Sequence, residues 1–136
     1  MFKSVQIIPL AMVLALVASA ADARTRLQDD KVIEDGLRIV AIGKMLDENC
    51  EAIAPRRFKA LGFALSLQRR AKSMGYTDAE IDAYLESDSD KDRIKGLARS
   101  YLKERGVNFS DPTSYCAVGR TEIQEQTSVG QFLRAD

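Results

Sequence analysis

The residues of this chain that are best suited to bind a charged group lie near its two cysteines. Tyr115, Arg120 and Glu122 surround the second cysteine within the stretch 115–123, and an arginine pair follows the first. Guanidinium groups bind carboxylates through paired hydrogen bonds, so these side chains define a candidate interaction cluster for a partner carboxylate. Its members are Arg56, Arg57, Tyr115, Arg120 and Glu122. The alternative is that the arginines bond to backbone carbonyls and helix ends near the cysteines.

Few residues could act as catalysts. The chain contains no His, which removes the commonest general base and metal ligand, c-type haem attachment and the usual serine hydrolase arrangement. A carboxylic acid whose pKa is raised by burial remains, as in glycoside hydrolysis. Glu80 is explained better by a helix cap, and Glu122 by a surface position or an ion pair. We therefore expect no catalytic residue and no cofactor.

The acidic stretch Asp88-Ser89-Asp90-Lys91-Asp92 is a candidate calcium ligand set. An EF-hand loop that started at Asp88 would need Gly at its sixth position and Glu at its twelfth. Those positions hold Arg93 and Arg99. The stretch is better interpreted as a polar turn that places negative charge at a helix N-terminus, and we expect no metal site.

The two cysteines, Cys50 and Cys116, predict a disulfide. In an exported protein an even, small number of cysteines indicates a disulfide framework, and two cysteines allow one intramolecular pairing. Closing a loop of this length stabilises a fold by roughly 4 kcal/mol in the chain-entropy model. The alternative is a pair of free, buried thiols.

Export itself is predicted by the N-terminus. Lys3 provides a positive end, residues 5–18 form an uncharged apolar run, and Ala-x-Ala sites end at Ala20 and Ala23. This order is typical of a secretory signal peptide. A retained membrane anchor is the alternative, but the run is shorter than the ~20 residues that span a bilayer. We predict a signal peptide over 1–23, cleaved at one of the two sites, a single domain over 24–136, and a periplasmic or secreted location.

The charge balance limits the classes of partner. Lys and Arg total 20, Asp and Glu total 20, and the net charge is zero. Binding to nucleic acid or to an acidic membrane depends on an excess of Lys and Arg. No second long apolar run follows the N-terminal one. We therefore expect no nucleic-acid partner and no stable membrane insertion after signal removal.

The pattern of the rest of the chain predicts five helices. Apolar residues recur at helical spacing between short connections, and caps mark several starts: Thr77-Asp78-Ala79-Glu80 is a capping box, and Asp111-Pro112 is an N-cap followed by proline. The predicted helices are 29–49, 55–74, 77–87, 91–105 and a last one from 111. Alternating β-branched runs are absent, so we expect no sheet and a compact all-α orthogonal bundle joined by one disulfide.

Two helices carry further predictions. In helix 55–74 one apolar stripe contains Phe63, Leu67 and Met74, and a second contains Phe58, Leu61 and Leu65. A helix that is apolar over so much of its circumference is expected at the centre of the bundle. In helix 29–49 an apolar face of Ile33, Leu37, Val40, Ala41 and Leu46 is expected to point inward. The same helix contains Gly36 and Gly43, which predict close approach of a neighbouring helix.

With Cys50, Gly75-Tyr76-Thr77 and the stretch 115–123 in view, the chain resembles a family of small exported alphaproteobacterial proteins classed as a domain of unknown function. The resemblance implies export and a helical fold over nearly the whole mature chain, and it implies no activity. A looser likeness links Gly43…Cys50 and Tyr115-Cys116-x-x-Gly119 to periplasmic, disulfide-linked helical proteins such as acid-stress chaperones and secretion-system immunity proteins. That likeness is an analogy at the level of the fold.

Three functions follow as hypotheses. The leading one is a non-enzymatic periplasmic protein that binds a protein partner or an envelope assembly. The second is a carrier of an apolar small molecule or lipid in the helical core, suggested by Phe58, Phe63 and Met74, and it requires a pocket of a few hundred Å³. The third is an acid-stress holdase or immunity-type protein, and a holdase would expose apolar surface at low pH.

Overall fold

Five α-helices make up most of the chain in the computed structural model, which describes residues 23–136. The predicted export signal therefore lies outside the described residues, apart from Ala23. The elements are α1 (Lys31–Asn49), β1 (Ile53–Pro55), α2 (Arg57–Ser73), α3 (Asp78–Glu86), α4 (Asp88–Glu104), α5 (Pro112–Glu125) and β2 (Leu133–Ala135), with short 3-10 turns at Leu27–Asp29 and Gly130–Phe132. The prediction of an all-α fold with about five helices is confirmed.

The helix starts follow from capping side chains. Asp30 accepts a hydrogen bond from the Ile33 amide at the start of α1, and the predicted capping box of Thr77 and Glu80 is present at the start of α3. Asp111 caps α5, with Pro112 in its first turn. The prediction for α4 was wrong by three residues at its start, because the Ser87 hydroxyl accepts from the Asp90 amide and caps the helix there.

The central helix is α1, and the prediction that α2 would be central is wrong. Helix α1 packs against α2, α4, α5 and β1. In its C-terminal half Ile42 and Leu46 are almost fully buried, whereas Val40, predicted to point inward, is 43% exposed. Helix α2 buries only Leu67 and Ala71. The main core contains Ile42, Met45, Leu46, Cys50, Ile53, Ala98, Leu102, Val107, Tyr115, Val118, Val129 and Leu133.

Helices α1 and α2 approach each other at Gly36. A Cβ atom built on Gly36 would lie 2.5 Å from a methyl carbon of Leu67, so the missing side chain allows the contact. This confirms the predicted close approach at Gly36. At Gly43 the nearest atom to such a Cβ belongs to Leu133, at 3.8 Å, and that glycine does not mark a close helix contact.

The prediction of no sheet is wrong, because β1 and β2 form a two-stranded antiparallel sheet. Ile53 pairs with Ala135 and Pro55 pairs with Leu133. Pro55 was predicted to open α2, but it lies in β1, and α2 begins two residues later. Proline lacks an N–H group and is accepted in a strand that has a free edge. The sheet fixes the C-terminus of the chain beside the end of α1.

Across residues 23–136, no helix combines the length and the apolar character that a membrane-spanning segment requires.

Candidate interaction surface

The disulfide joins the C-terminal end of α1 to the first turns of α5. Cys50 is the C-cap residue of α1, and its sulfur bonds to that of Cys116 at 2.01 Å, with the Cα atoms 5.2 Å apart. The predicted pairing is confirmed. Because β1 begins three residues after Cys50, the covalent link also fixes the sheet against α5. Gly119 allows this packing, since a Cβ atom there would lie 3.2 Å from the Ile53 side chain.

Arg56 anchors the C-terminal segment. Its Nε atom donates to the carbonyl of Leu133 at 3.1 Å, and its backbone amide donates to the carbonyl of Phe132 at 2.7 Å. These bonds extend the sheet by one residue and hold Phe132 beside α2. Arg56 therefore acts on backbone carbonyls, as in the alternative considered from the sequence.

Glu122 lies at the centre of a buried polar network between α4 and α5. Its side chain is fully buried, and the Tyr101 hydroxyl contacts its two oxygens at 3.0 and 2.8 Å. The Arg105 Nε atom donates to Oε1 at 2.6 Å, and the Thr127 hydroxyl donates to Oε2. Burial, and then the neighbouring carboxylate, raise the pKa of Tyr101 above its usual value. A buried carboxylate that is surrounded by these donors connects α5 to α4 and to the turn after α5.

The other three members of the candidate interaction cluster have different surroundings. Tyr115 is buried, and its ring lies 6.2 Å from that of Phe109. Arg57 and Arg120 are exposed. Within residues 23–136 no hydrogen bond or ion pair joins any two of the five cluster residues. The structure thus assigns packing roles to three of them and leaves two arginines on the surface.

A more extensive surface feature was missed by the sequence reasoning. An open groove of about 360 Å³ runs between α1, α2 and the C-terminal segment, and we call it the α1–α2 groove. Phe63 and Phe132 form part of its wall, with ring centroids 4.7 Å apart. Its lining is Ile39, Val40, Gly43, Lys44, Asp47, Pro55, Ala60, Leu61, Phe63, Ala64, Val129, Phe132 and Leu133.

Next to this groove, α2 presents an apolar stripe to solvent. Phe58 is 94% exposed, Leu61 57% and Leu65 42%. Their spacing of three and four residues places them on one face of the helix. The sequence signal was the second stripe of α2, but it was assigned to the core. Contiguous exposed apolar residues of this size mark interaction sites on many proteins.

Basic side chains flank the same end of α2. Arg57 adjoins Phe58, and the Lys59 ammonium lies 5.5 Å from the centre of the Phe132 ring in the groove wall. Lys44 and Asp47 lie on the opposite side of the groove. Lys44 is within 3.6 Å of Glu48. The first turn of α2 contains no acidic residue, so cations predominate on the α2 side.

Together, the fold and this surface define, over residues 23–136, a disulfide-bonded bundle of five helices with an apolar groove on one side. The chain belongs to a family of unknown function, DUF5333, whose family model matches residues 25–134. The matched range includes both cysteines and all five helices. No curated protein and no solved structure matches the chain.

Proposed function

We propose that this protein is exported and acts without catalysis, by binding a segment of a partner protein in the α1–α2 groove. That segment contains apolar residues with acidic residues beside them. The observation that carries the proposal is the almost complete exposure of Phe58, at 94%, beside that groove. A large aromatic side chain in water gains the most from being covered, and aromatic residues dominate the energetics of protein interfaces. Export is supported by the disulfide, which persists in oxidising compartments.

The shape of the groove favours a short segment of a partner. On α1 the lining extends from Ile39 to Asp47, about 12 Å at the rise of an α-helix. That length accommodates about two turns of a helix, a common mode of recognition by an apolar groove. Leu61 and Phe58 would cover the outer side of such a segment.

The charges on the α2 side favour carboxylates on the partner. Arg57 takes part in no ion pair within the described part of the chain, and Lys59 is placed over an aromatic ring. Exposed charges of this kind steer association and select partners more than they add affinity. A partner with acidic residues beside its apolar positions therefore fits this end of the groove.

The proposal is tested by site-specific photo-crosslinking in cells that export the protein. A photoreactive phenylalanine analogue at position 58 is expected to capture one specific protein, and the same analogue at the exposed position of Lys103 on α4 is expected to capture none. The captured protein is then purified and its affinity measured by titration calorimetry. We expect Leu61→Asp to abolish binding, and Arg57→Glu with Lys59→Glu to weaken it at least tenfold, about 1.4 kcal/mol.

Three results would contradict the proposal. Equal capture at positions 58 and 103, or binding that survives Leu61→Asp, would show that the groove is not the site. The third result concerns the carrier hypothesis, because the groove volume also suits a small apolar ligand. Native mass spectrometry of the exported protein that showed a bound small molecule, lost in Leu61→Asp, would replace the protein partner with that ligand.

A further inference from the structure

Neighbouring helices α2 and α3 carry opposite charges. Helix α2 contains five Lys and Arg residues and no acidic residue, whereas α3 contains four Asp and Glu residues and no basic residue. The whole chain has no net charge. The overall charge balance therefore conceals a basic helix that is followed by an acidic one.

A second groove, of about 350 Å³, is lined by α1, α2 and α3. We call it the α2–α3 groove. Leu65 on α2 is 42% exposed and Leu85 on α3 is 46% exposed, and both line it. Ile33 of α1, Leu67 of α2 and Ile81 of α3 also line it. Apolar side chains at its two edges are thus left uncovered.

Some charges on the two helices are already paired within the chain. Arg70 bonds to Asp30 at 2.7 Å, and Lys72 lies 3.1 Å from Asp78. Glu80 is paired with Arg24. In contrast, no ion pair or hydrogen bond within the described residues involves the side chain of Arg69 on α2, or of Asp82 and Glu86 on α3. Asp82 lines the α2–α3 groove, Glu86 follows the lining residue Leu85, and Arg69 lies one helical turn after the lining residue Leu65.

We propose that the α2–α3 groove is a two-fold interface with a second copy of this chain. A two-fold axis that runs along the groove places the α2 edge of each copy over the α3 edge of the other. Arg69 lies four residues before the last residue of α2, and Asp82 lies four residues after the first residue of α3. Leu65 and Leu85 lie eight and seven residues from the same two helix ends. The axis therefore brings Arg69 opposite Asp82 of the second copy, and Leu65 opposite Leu85.

The groove is complementary to a second copy of itself, which is why we infer that a second copy occupies it. An isologous interface uses the same patch on both subunits, so every contact occurs twice. A partner with a single sign of charge would be repelled by one edge of the groove. A second copy presents an acidic edge to the basic edge and a basic edge to the acidic edge, and it covers both leucines.

The first experiment is sedimentation of the mature, oxidised protein over a range of concentrations. We expect a monomer–dimer equilibrium with a Kd on the order of 10 μM, typical of a small interface with few apolar anchors. The Kd is expected to rise with ionic strength, since the charge pairs lie at exposed edges. Arg69→Glu, Asp82→Arg and Leu85→Asp are each expected to weaken the dimer at least tenfold. Lys103→Glu, on α4, is the control and is expected to leave it unchanged.

Mixing two variants provides the decisive test. Arg69→Glu places two acidic groups opposite each other, and Asp82→Arg places two basic groups opposite each other, so each variant alone is monomeric. A heterodimer of the two restores opposite charges at both positions. We expect the mixture to sediment as a dimer, a result that misfolding of either variant would not produce. Circular dichroism confirms that each variant is folded.

Three results would overturn this inference. The first is a wild-type protein that stays monomeric at about a hundred times the expected Kd. The second is a dimer that survives both Arg69→Glu and Leu85→Asp, and the third is a mixture of the charge variants that remains monomeric. Leu61→Asp is expected to leave the dimer intact, and Arg69→Glu is expected to leave partner binding in the α1–α2 groove intact. The two proposals can therefore fail separately.

Discussion

Gly130 lies directly against the backbone carbonyl of Glu122. A Cβ atom built on Gly130 would come within 1.8 Å of that oxygen, and its own amide donates to the Thr127 hydroxyl at 3.0 Å. The same hydroxyl donates to the Glu122 carboxylate. The turn after α5 therefore packs against the backbone of Glu122 through Gly130, and it bonds to the Glu122 carboxylate through the Thr127 hydroxyl. This joins the C-terminal segment to the centre of the fold.

Gly130→Ala is expected to be among the most destabilising single substitutions in the chain. The contact is with backbone, which cannot move aside as a side-chain end can, so the turn must open. We expect a loss of about 3 kcal/mol or more in the free energy of unfolding, measured by urea denaturation. Gly96→Ala is the matched control, since a Cβ atom there has no neighbour within 4 Å. An equal effect of the two substitutions would contradict the prediction.

Two other helical glycines are expected to respond in opposite directions. Gly62 in α2 has no neighbour within 4 Å of a built Cβ atom, so Gly62→Ala gains helix propensity of about 0.8–1 kcal/mol. Gly36→Ala gains the same propensity but forces the buried Leu67 to move, at a cost of about 1–3 kcal/mol. We expect a net stabilisation for the first and a net destabilisation of about 1 kcal/mol for the second. Thermal melts of both variants check the signs, and a stabilised Gly36→Ala protein would refute the assigned packing.

The buried carboxylate of Glu122 is expected to be more important for stability than any one of its donors. Glu122→Gln removes the charge that pairs with Arg105 and places an amide N–H among hydrogen-bond donors. We expect a loss of about 3 kcal/mol, because the fully buried amide N–H has no acceptor among these donors and Arg105 keeps only its exposed bond to Glu125. Tyr101→Phe removes one donor and is expected to lose about 1–2 kcal/mol. Glu125→Gln, at the exposed neighbour of Arg105, is the control and is expected to change stability by less than about 1 kcal/mol.

The features of the fold that could be predicted from the sequence are those specified by residues close together in the chain, or by a unique pairing. The caps at Thr77 and at Asp111-Pro112 are formed by residues a few positions apart, and both predictions are confirmed. The disulfide was predictable because two cysteines allow one pairing. Ser87, which starts α4, was missed because serine is also common in loops.

The errors concern the side of a helix that faces a neighbour. Helix α2 has two apolar stripes, and hydrophobic periodicity does not indicate which of them is covered. The stripe with Leu67 is buried, because Gly36 opens space for it on α1, whereas the stripe with Phe58 is left in water. The pairing of β1 with β2 joins residues about eighty positions apart, and no local pattern in Ile53-Ala54-Pro55 specifies it. The candidate interaction cluster was proposed from proximity to the cysteines and from helix periodicity, and neither determines side-chain contacts.

Reduction of the disulfide is expected to destabilise the protein by roughly 4 kcal/mol. The two cysteines are separated by 66 residues, and a loop of that length reduces the entropy of the unfolded chain by this amount in the chain-entropy model. Cys50→Ser with Cys116→Ser tests the effect without a reductant, and urea denaturation measures it. The matched comparison is the wild type with and without reductant. A difference below about 1 kcal/mol between oxidised and reduced protein would contradict the estimate.

Acid stability is expected to depend on two carboxylates that arginines hold in the ionised form. A hydrogen bond from Arg70 lowers the pKa of Asp30 to about 2, and hydrogen bonds from Arg24 lower the pKa of Glu80 to about 2. A group whose pKa is lower in the folded protein stabilises the fold above its unfolded pKa. That stabilisation is lost as the pH falls through the folded pKa. The melting temperature is therefore expected to decline from about pH 4.5 down to about pH 2.

Amide variants separate this effect from simple loss of structure. Asp30→Asn and Glu80→Gln keep acceptors for the caps of α1 and α3 but cannot titrate, so the double variant is expected to be less stable near neutral pH and to show a flatter melting profile below pH ~4.5. A wild-type profile that is flat across this range would contradict the prediction.

The result also bears on the holdase hypothesis, which requires apolar surface to be exposed in acid. Because both ion pairs persist well below neutral pH, binding of an apolar dye is expected to rise only within the same acidic range, after the pairs begin to protonate. Dye binding that rose already near pH ~6 would show that other groups open the fold, and it would favour a holdase over a protein that works in its folded form.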